Sequence, residues 1–322
     1  MDIFRQTSVQ MLMMFCMILI GYIVRKKKIL PEKADTVLAR SNTFVFVPAL
    51  VLQTQMNRCT VQTLTQNAGI ILCGLTVVTL SILAAYPLAK LFAREKHPTA
   101  EQAYEANVYR YAMAFGNYGF MGNFIVMNVW GDEMLYKYLL FCFFFNVLCY
   151  AWGLSILIPK EQGITPWANL KKCILTPPMV ATLTGMVLGM LGVTKHTPAF
   201  LMRTMEDLGK CQGPIAMVLA GYVIGGYDFK ELLLNKKVYG ACLLRLFLIP
   251  AVVMLVMHLL GAGKELMTLA LIATATPLGL NTVVFPATYG GNTKPGASMA
   301  MISHALSVVT IPIMYLLFIV KL

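Results

Sequence analysis

Two apolar segments are interrupted where a membrane-spanning helix would be expected to continue. One reads Ala114-Phe115-Gly116-Asn117-Tyr118-Gly119-Phe120-Met121-Gly122-Asn123, the other Thr274-Ala275-Thr276-Pro277-Leu278-Gly279-Leu280-Asn281-Thr282-Val283. Each sets Gly, Asn or Pro in the middle of a stretch long enough to cross a bilayer. A helix broken at that depth frees backbone N–H and C=O groups where no water is at hand. Such a break is tolerated only where protein or an aqueous cavity satisfies those groups. The two breaks stand about 160 residues apart, close to half of the 322-residue chain. A matched pair, one per half, is the pattern by which discontinuous helices build a solute site near the bilayer midplane.

The rest of the chain supports a bilayer setting. Hydrophobic residues make up 58% and charged residues 12%, whereas a soluble domain is about a quarter charged. Apolar runs of roughly 18 residues or more recur from end to end, which defines an all-α, polytopic membrane protein. The polar connections leave no room for a soluble domain. The net charge of +12 is spread over short loops between apolar runs, so it follows membrane topology rather than nucleic-acid binding. The eight Cys show no metal-ligand spacing and mostly fall in apolar runs, where a thiol packs as a small hydrophobe. Neither a metal nor a cofactor is expected. No GxSxG, HExxH or P-loop pattern appears, so the chain does not read as an enzyme.

Hydropathy places ten spans at about 6–24, 33–56, 68–93, 103–130, 133–157, 173–193, 198–225, 236–260, 264–290 and 295–320. Residues 1–21 are followed by Arg25-Lys26-Lys27-Lys28 and lack a small-residue cleavage site. They read as a first span with its N-terminus outside rather than as a signal peptide. With that orientation, fifteen Lys and Arg fall in cytoplasmic loops and seven on the other side, which puts both termini outside. Five spans per half oblige the second half to enter from the opposite face, so residues 1–160 and 161–322 form two inverted five-helix repeats. Gly119 and Gly279, and Gly131 and Gly291, share one offset of 160 residues. The second span of each half runs polar and then apolar across a proline, at Pro48 and at Pro214, each expected as a helix break.

The breaks carry the candidate site. Asn117 lies about 20 Å of helix from its membrane face at 1.5 Å per residue, near mid-bilayer, and Pro277 lies at a similar depth from the opposite face. Two broken helices crossing there present half-helix N-termini, whose free N–H groups and partial positive charge suit a carboxylate. The amides of Asn117, Asn123 and Asn281, with Gly119 and Thr282 beside them, are expected to hold the rest of a polar solute, and Gly116 is expected to let the chain bend. The plain alternative is a pair of kinks sealed by neighbouring helices. Two ionisable residues lie well inside spans, Arg245 as a counter-charge for an anion and His304 as a titratable group. Snorkelling, or packing on a hydrogen bond, is the bland reading of each. Arg203, Glu206, Asp207 and Lys210 are spaced to neutralise one another on one helix face; Asp207 is a weak cation candidate. Few other acids lie inside spans, so a paired-carboxylate ion site is not supported.

At these residues the sequence resembles the auxin efflux carrier family in its bacterial branch. The likeness runs over nearly the whole chain. Its anchors are Phe46-Val47-Pro48-Ala49-Leu50, the segment Phe115 to Gly122, Thr276-Pro277-Leu278-Gly279-Leu280-Asn281-Thr282, and Ser307-Val308-Val309-Thr310-Ile311-Pro312. The resemblance implies ten helices in two inverted repeats, a fold shared with bile-acid symporters and sodium/proton antiporters. It implies a scaffold (1–62 and 173–230), a transport domain (63–160 and 231–322), and crossing helices 4 and 9 with Asn117, Pro277 and Asn281 lining the site. Plant members carry a proline beside the asparagine where this chain has Gly116, and many carry a long loop where this chain has the short link 158–172. Family members move organic anions: auxin in plants, with malate- or malonate-like carboxylates proposed in bacteria. The expectation is a secondary transporter of a small organic anion, moving by an elevator-like motion in the cell membrane. Coupling to H⁺ or Na⁺ is left open, as is a homodimer formed through the scaffold. A membrane sensor of a ligand or lipid, and a sodium/proton exchanger on the same fold, are the alternatives.

Overall fold

The computed structural model describes residues 2–93, 99–157, 174–289 and 292–321. The 158–172 link and Gly291 lie outside the described residues. The described chain is almost wholly helical, and no strand occurs in it; its one isolated bridge joins Gly116 to Leu278. In chain order the main helices are α1 (Asp2–Lys26), α2 (Ala34–Arg58), α3 (Ala68–Ala89), α4 (Ala100–Ala114), α5 (Tyr118–Phe141), α6 (Phe143–Leu157) and α7 (Pro177–Met190). There follow α8 (Ala199–Lys210), α9 (Gln212–Gly225), α10 (Lys236–Leu259), α11 (Lys264–Ala275), α12 (Asn281–Tyr289) and α13 (Lys294–Val320).

Five of these are long and apolar enough to cross a bilayer: α1, α2, α3, α10 and α13. The pair α5 and α6, bent by 49°, makes a sixth if taken as one span. The chain leaves helical geometry inside α5 at Gly131 (φ 79°, ψ −171°), the place where hydropathy divides the fourth expected span from the fifth. Only glycine visits that backbone region at low cost. Helix ends are set locally. Thr99 and Gln102 form a capping box that starts α4, each side chain accepting from the other's backbone N–H.

α1 packs along α9, and α2 along α7 and α8. The α1–α9 approach is close because Gly21 and Gly221 face the opposite backbone; a Cβ on either would run into the carbonyl of Val218 or Ile18. Elsewhere α3 packs on α4, and α10 packs on α11 and α13. Large aliphatics such as Leu12, Leu72, Leu83, Leu255 and Leu259 are exposed on the outer faces, as expected for a surface that meets lipid.

Both predicted proline breaks are corrected by the structure. At Pro48 the helix does not break. The turn before it widens to a π-turn over Asn42–Phe46, with Val47 N–H bonded to Asn42 O, and α2 runs on to Arg58. A helical proline lacks an N–H and its ring crowds the carbonyl four residues back; a wider turn relieves both problems. The same device precedes Pro250, where Leu244–Leu248 is a π-turn closed by Ile249 N–H on Leu244 O. At Pro214 the interruption falls earlier, at Cys211 between α8 and α9. Pro214 sits in the first turn of α9, where an N–H has no helical partner to lose. Asp207, the weak cation candidate, lies on an exposed face and pairs with Lys210 at 3.4 Å; Lys210 also pairs with Glu206 at 2.6 Å. That is the bland reading of the charge cluster.

Candidate functional site

The two interrupted segments meet. Asn117 N–H donates to Pro277 O at 2.8 Å, and Gly116 and Leu278 face each other as an antiparallel bridge. Residues 115–117 and 276–280 therefore satisfy part of each other's freed backbone. α13 supplies more: Ser303 Oγ accepts from Leu278 N–H at 3.1 Å. Tyr138 donates to Tyr118 O at 3.1 Å, and the buried Gln212 side chain donates to Phe120 O at 3.2 Å. The cost of breaking two helices in an apolar setting is thus offset by named partners.

Contact at the crossing is tight because residue 116 has no side chain. A Cβ there would lie 2.5 Å from Thr276 Oγ1 and 2.6 Å from Arg245 Nη2. The crossing is also where two helices begin. The N–H groups of Tyr118, Gly119 and Phe120, and those of Leu280 and Asn281, precede any helical carbonyl that would accept from them. Asn117 O already takes the N–H groups of both Met121 and Gly122 at 3.0 Å. Two positive helix ends thus converge within one crossing.

A partly open cleft lies against them. One wall comes from α2 and α7, with Thr43, Val47, Met179 and Thr182. The facing wall is the crossing itself, with Asn117, Gly119, Asn123, Leu280 and Asn281; Asn146 of α6 adds another amide. Among the described residues, none that lines the cleft is charged. Of the residues singled out from sequence, Gly116, Asn117, Gly119, Asn123 and Asn281 line the cleft. Pro277, Thr282, Arg245 and His304 do not. Pro277 contributes its carbonyl to Asn117, and Thr282 closes its own turn through Oγ1 to Gly279 O at 2.8 Å.

Arg245 and His304 stand behind the crossing, within its support. Arg245 is fully buried in the π-turn of α10, beside Gly116 and Thr276. Among the described residues its three guanidinium nitrogens have no hydrogen-bond partner and it has no ion pair. A buried, unpaired cation in a low-dielectric region projects its field with little screening. His304 Nδ1 lies 2.7 Å from Ala300 O, which can only accept, so the imidazole carries its proton there. In the neutral ring Nε2 is then the acceptor for Asn117 Nδ2 at 3.1 Å. Asn281 is held in the same way from the first half of the chain: its Nδ2 donates to Tyr111 Oη at 3.0 Å and approaches Cys149 Sγ at 3.5 Å.

The sequence reading passed over Tyr111, Tyr138 and Ser303, whose roles depend on what lies across from them. Asn42, whose Nδ2 donates to Gln212 O at 3.2 Å, and Asn146 were accessible as amides inside apolar runs, a pattern that marks function or a buried network.

Bilayer-length helices, two broken segments that cross, and a polar cleft beside the crossing define a membrane transporter. Comparison with known families agrees: the sequence model of the family described as membrane transport protein matches residues 6–315. The chain belongs to this family, the auxin efflux carrier family, as its motifs suggested. No curated protein matches it.

Proposed function

We propose that this protein is a secondary transporter of a small organic anion, with a carboxylate as the group recognised at the crossing. The observation that carries the reading is electrostatic. Two helix N-termini meet at a cleft whose lining contains no carboxylate among the described residues, and Arg245, without a partner among them, stands behind the crossing. A cation would find no carboxylate among the described lining residues, whereas an anion would be stabilised by the N–H groups and the guanidinium field.

The same reading takes the chain as ten spans in two inverted five-helix repeats, moving by an elevator-like step. Its support is the pairing of helices. Under such a repeat the contact of spans 1 and 7 maps onto that of spans 6 and 2, and the contact of 3 with 4 maps onto that of 8 with 9. The pairs α1–α9, α2–α7, α3–α4 and α10–α11 obey that exchange. The cleft lies between α2 and α7, which belong to the proposed scaffold, and the crossing, which belongs to the proposed transport domain.

The test is uptake of radiolabelled mono- and dicarboxylates into liposomes containing the purified protein, with H⁺ and Na⁺ gradients imposed separately. Gradient-driven carboxylate flux that falls strongly in Asn117→Ala is the expected result. Undiminished flux in both Asn117→Ala and Asn281→Ala would remove the crossing as the site. Sodium or proton exchange without any organic substrate would replace the reading with that of an exchanger.

A further inference from the structure

Resting on that reading, we propose that His304 is a specificity-determining positioning residue. It holds the Asn117 amide with its oxygen as the free atom, so the crossing accepts a hydrogen bond from its ligand as well as binding its negative charge. The ligand class is then a carboxylate that also carries a hydroxyl or amine donor.

The argument is one of valence. Ala300 O can only accept, so His304 Nδ1 is the protonated nitrogen of the neutral ring, and Nε2 has only a lone pair to offer. The one Asn117 atom able to satisfy that lone pair is Nδ2, found 3.1 Å away. The amide orientation follows from this chain of partners. Among the described residues Asn117 Oδ1 is left without a partner, and it is buried, on a residue that is 2% exposed and lines the cleft. Leaving a buried acceptor unmet is costly, and a ligand donor that meets it recovers that cost. Asn281 repeats the arrangement on the other strand of the crossing, its Nδ2 committed to Tyr111 Oη and Cys149 Sγ. Asn117 and Asn281 thus each give an amide N–H to protein. The backbone N–H groups of the two helix starts are among the donors left for the ligand's carboxylate, beside the Asn123 amide that also lines the cleft.

A site built around an unmet acceptor discriminates against ligands that lack the donor. The test is competition by matched acids differing in one group, lactate against propionate and malate against succinate, in binding to the purified protein and in liposome uptake. We expect the donor-bearing acid of a pair to bind about 10-fold or more tightly. In His304→Phe, which keeps the ring volume but has no nitrogen, the amide is free to turn and the ratio should fall toward one. In His304→Gln, whose Oε1 can accept from Asn117 Nδ2, much of the ratio should return. A ratio near one in the unsubstituted protein overturns the proposal while leaving carboxylate transport standing, and needs no variant to fold. A ratio unchanged in a folded His304→Phe protein overturns the role of His304. Failure of every carboxylate to bind overturns the anion reading itself, and this proposal with it.

Discussion

The two breaks solve one problem with different residues. At the first, Gly116 supplies room: the backbone passes so close to Thr276 and Arg245 that no side chain fits. At the second, Pro277 has no N–H to satisfy and offers its carbonyl to Asn117. The first opens three residues of chain, 115–117, and the second five, 276–280. An asparagine ends the first break and directly follows the second, and each amide is held from the opposite half of the chain, Asn117 by His304 and Asn281 by Tyr111 and Cys149. The comparison teaches that the site is not two independent kinks. Neither half holds its own asparagine, so both halves must be packed before either amide is oriented.

The sharpest way to break the comparison is to fill the space that only the first break needs. Gly116→Val puts branched carbon onto Thr276 and Arg245, and we expect uptake to fall by about 100-fold or more, the scale of a 1 Å misplacement in a binding constellation. A normal rate in Gly116→Val would show that the crossing is looser than its contacts imply. Removing the charge behind the crossing comes next. Arg245→Leu should weaken carboxylate binding by about 10- to 100-fold, as expected when a desolvated charge is lost. Because the guanidinium is buried without a partner, the same change should leave the melting temperature equal or raised. A protein that binds normally but melts earlier would mark Arg245 as a structural residue.

The asparagines test the symmetry directly. Asn117→Ala and Asn281→Ala should each cost about 1–3 kcal/mol in ligand binding, read by calorimetry. The larger loss is expected at Asn117, which is the more deeply buried. Equal losses would make the two strands of the crossing equivalent despite their different partners. The smallest effect is expected at Gly119, where an added Cβ meets nothing within 4 Å. Gly119→Ala should hold affinity and rate within about twofold, since surface changes without a broken contact stay near ±0.5 kcal/mol. A severe Gly119→Ala defect would mean that a ligand or moving helix comes against that point.

Much of this was legible in the chain because membrane depth makes some residues conspicuous. Apolar runs and their interruptions mark spans and breaks without any fold, and Gly116, Asn117, Pro277 and Asn281 stood out for that reason. Gly131 was legible as the boundary between two spans. The prolines misled because a local rule, that proline breaks a helix, ignores the π-turn by which a helix absorbs it at Pro48. Arg245 and His304 were readable as deep ionisable groups, but the side of the crossing they occupy was not.

The sequence by itself determined the solvent of this protein, its helical class and the two places where helices break, since each of these follows from local composition and backbone chemistry. Tertiary structure alone decided that the breaks meet. It also decided that Arg245 lies unpaired behind Gly116, and that His304 commits the Asn117 donor and leaves its oxygen free. Those facts depend on contacts between residues more than a hundred positions apart, and no periodicity or propensity along the chain encodes which side chain will stand opposite another.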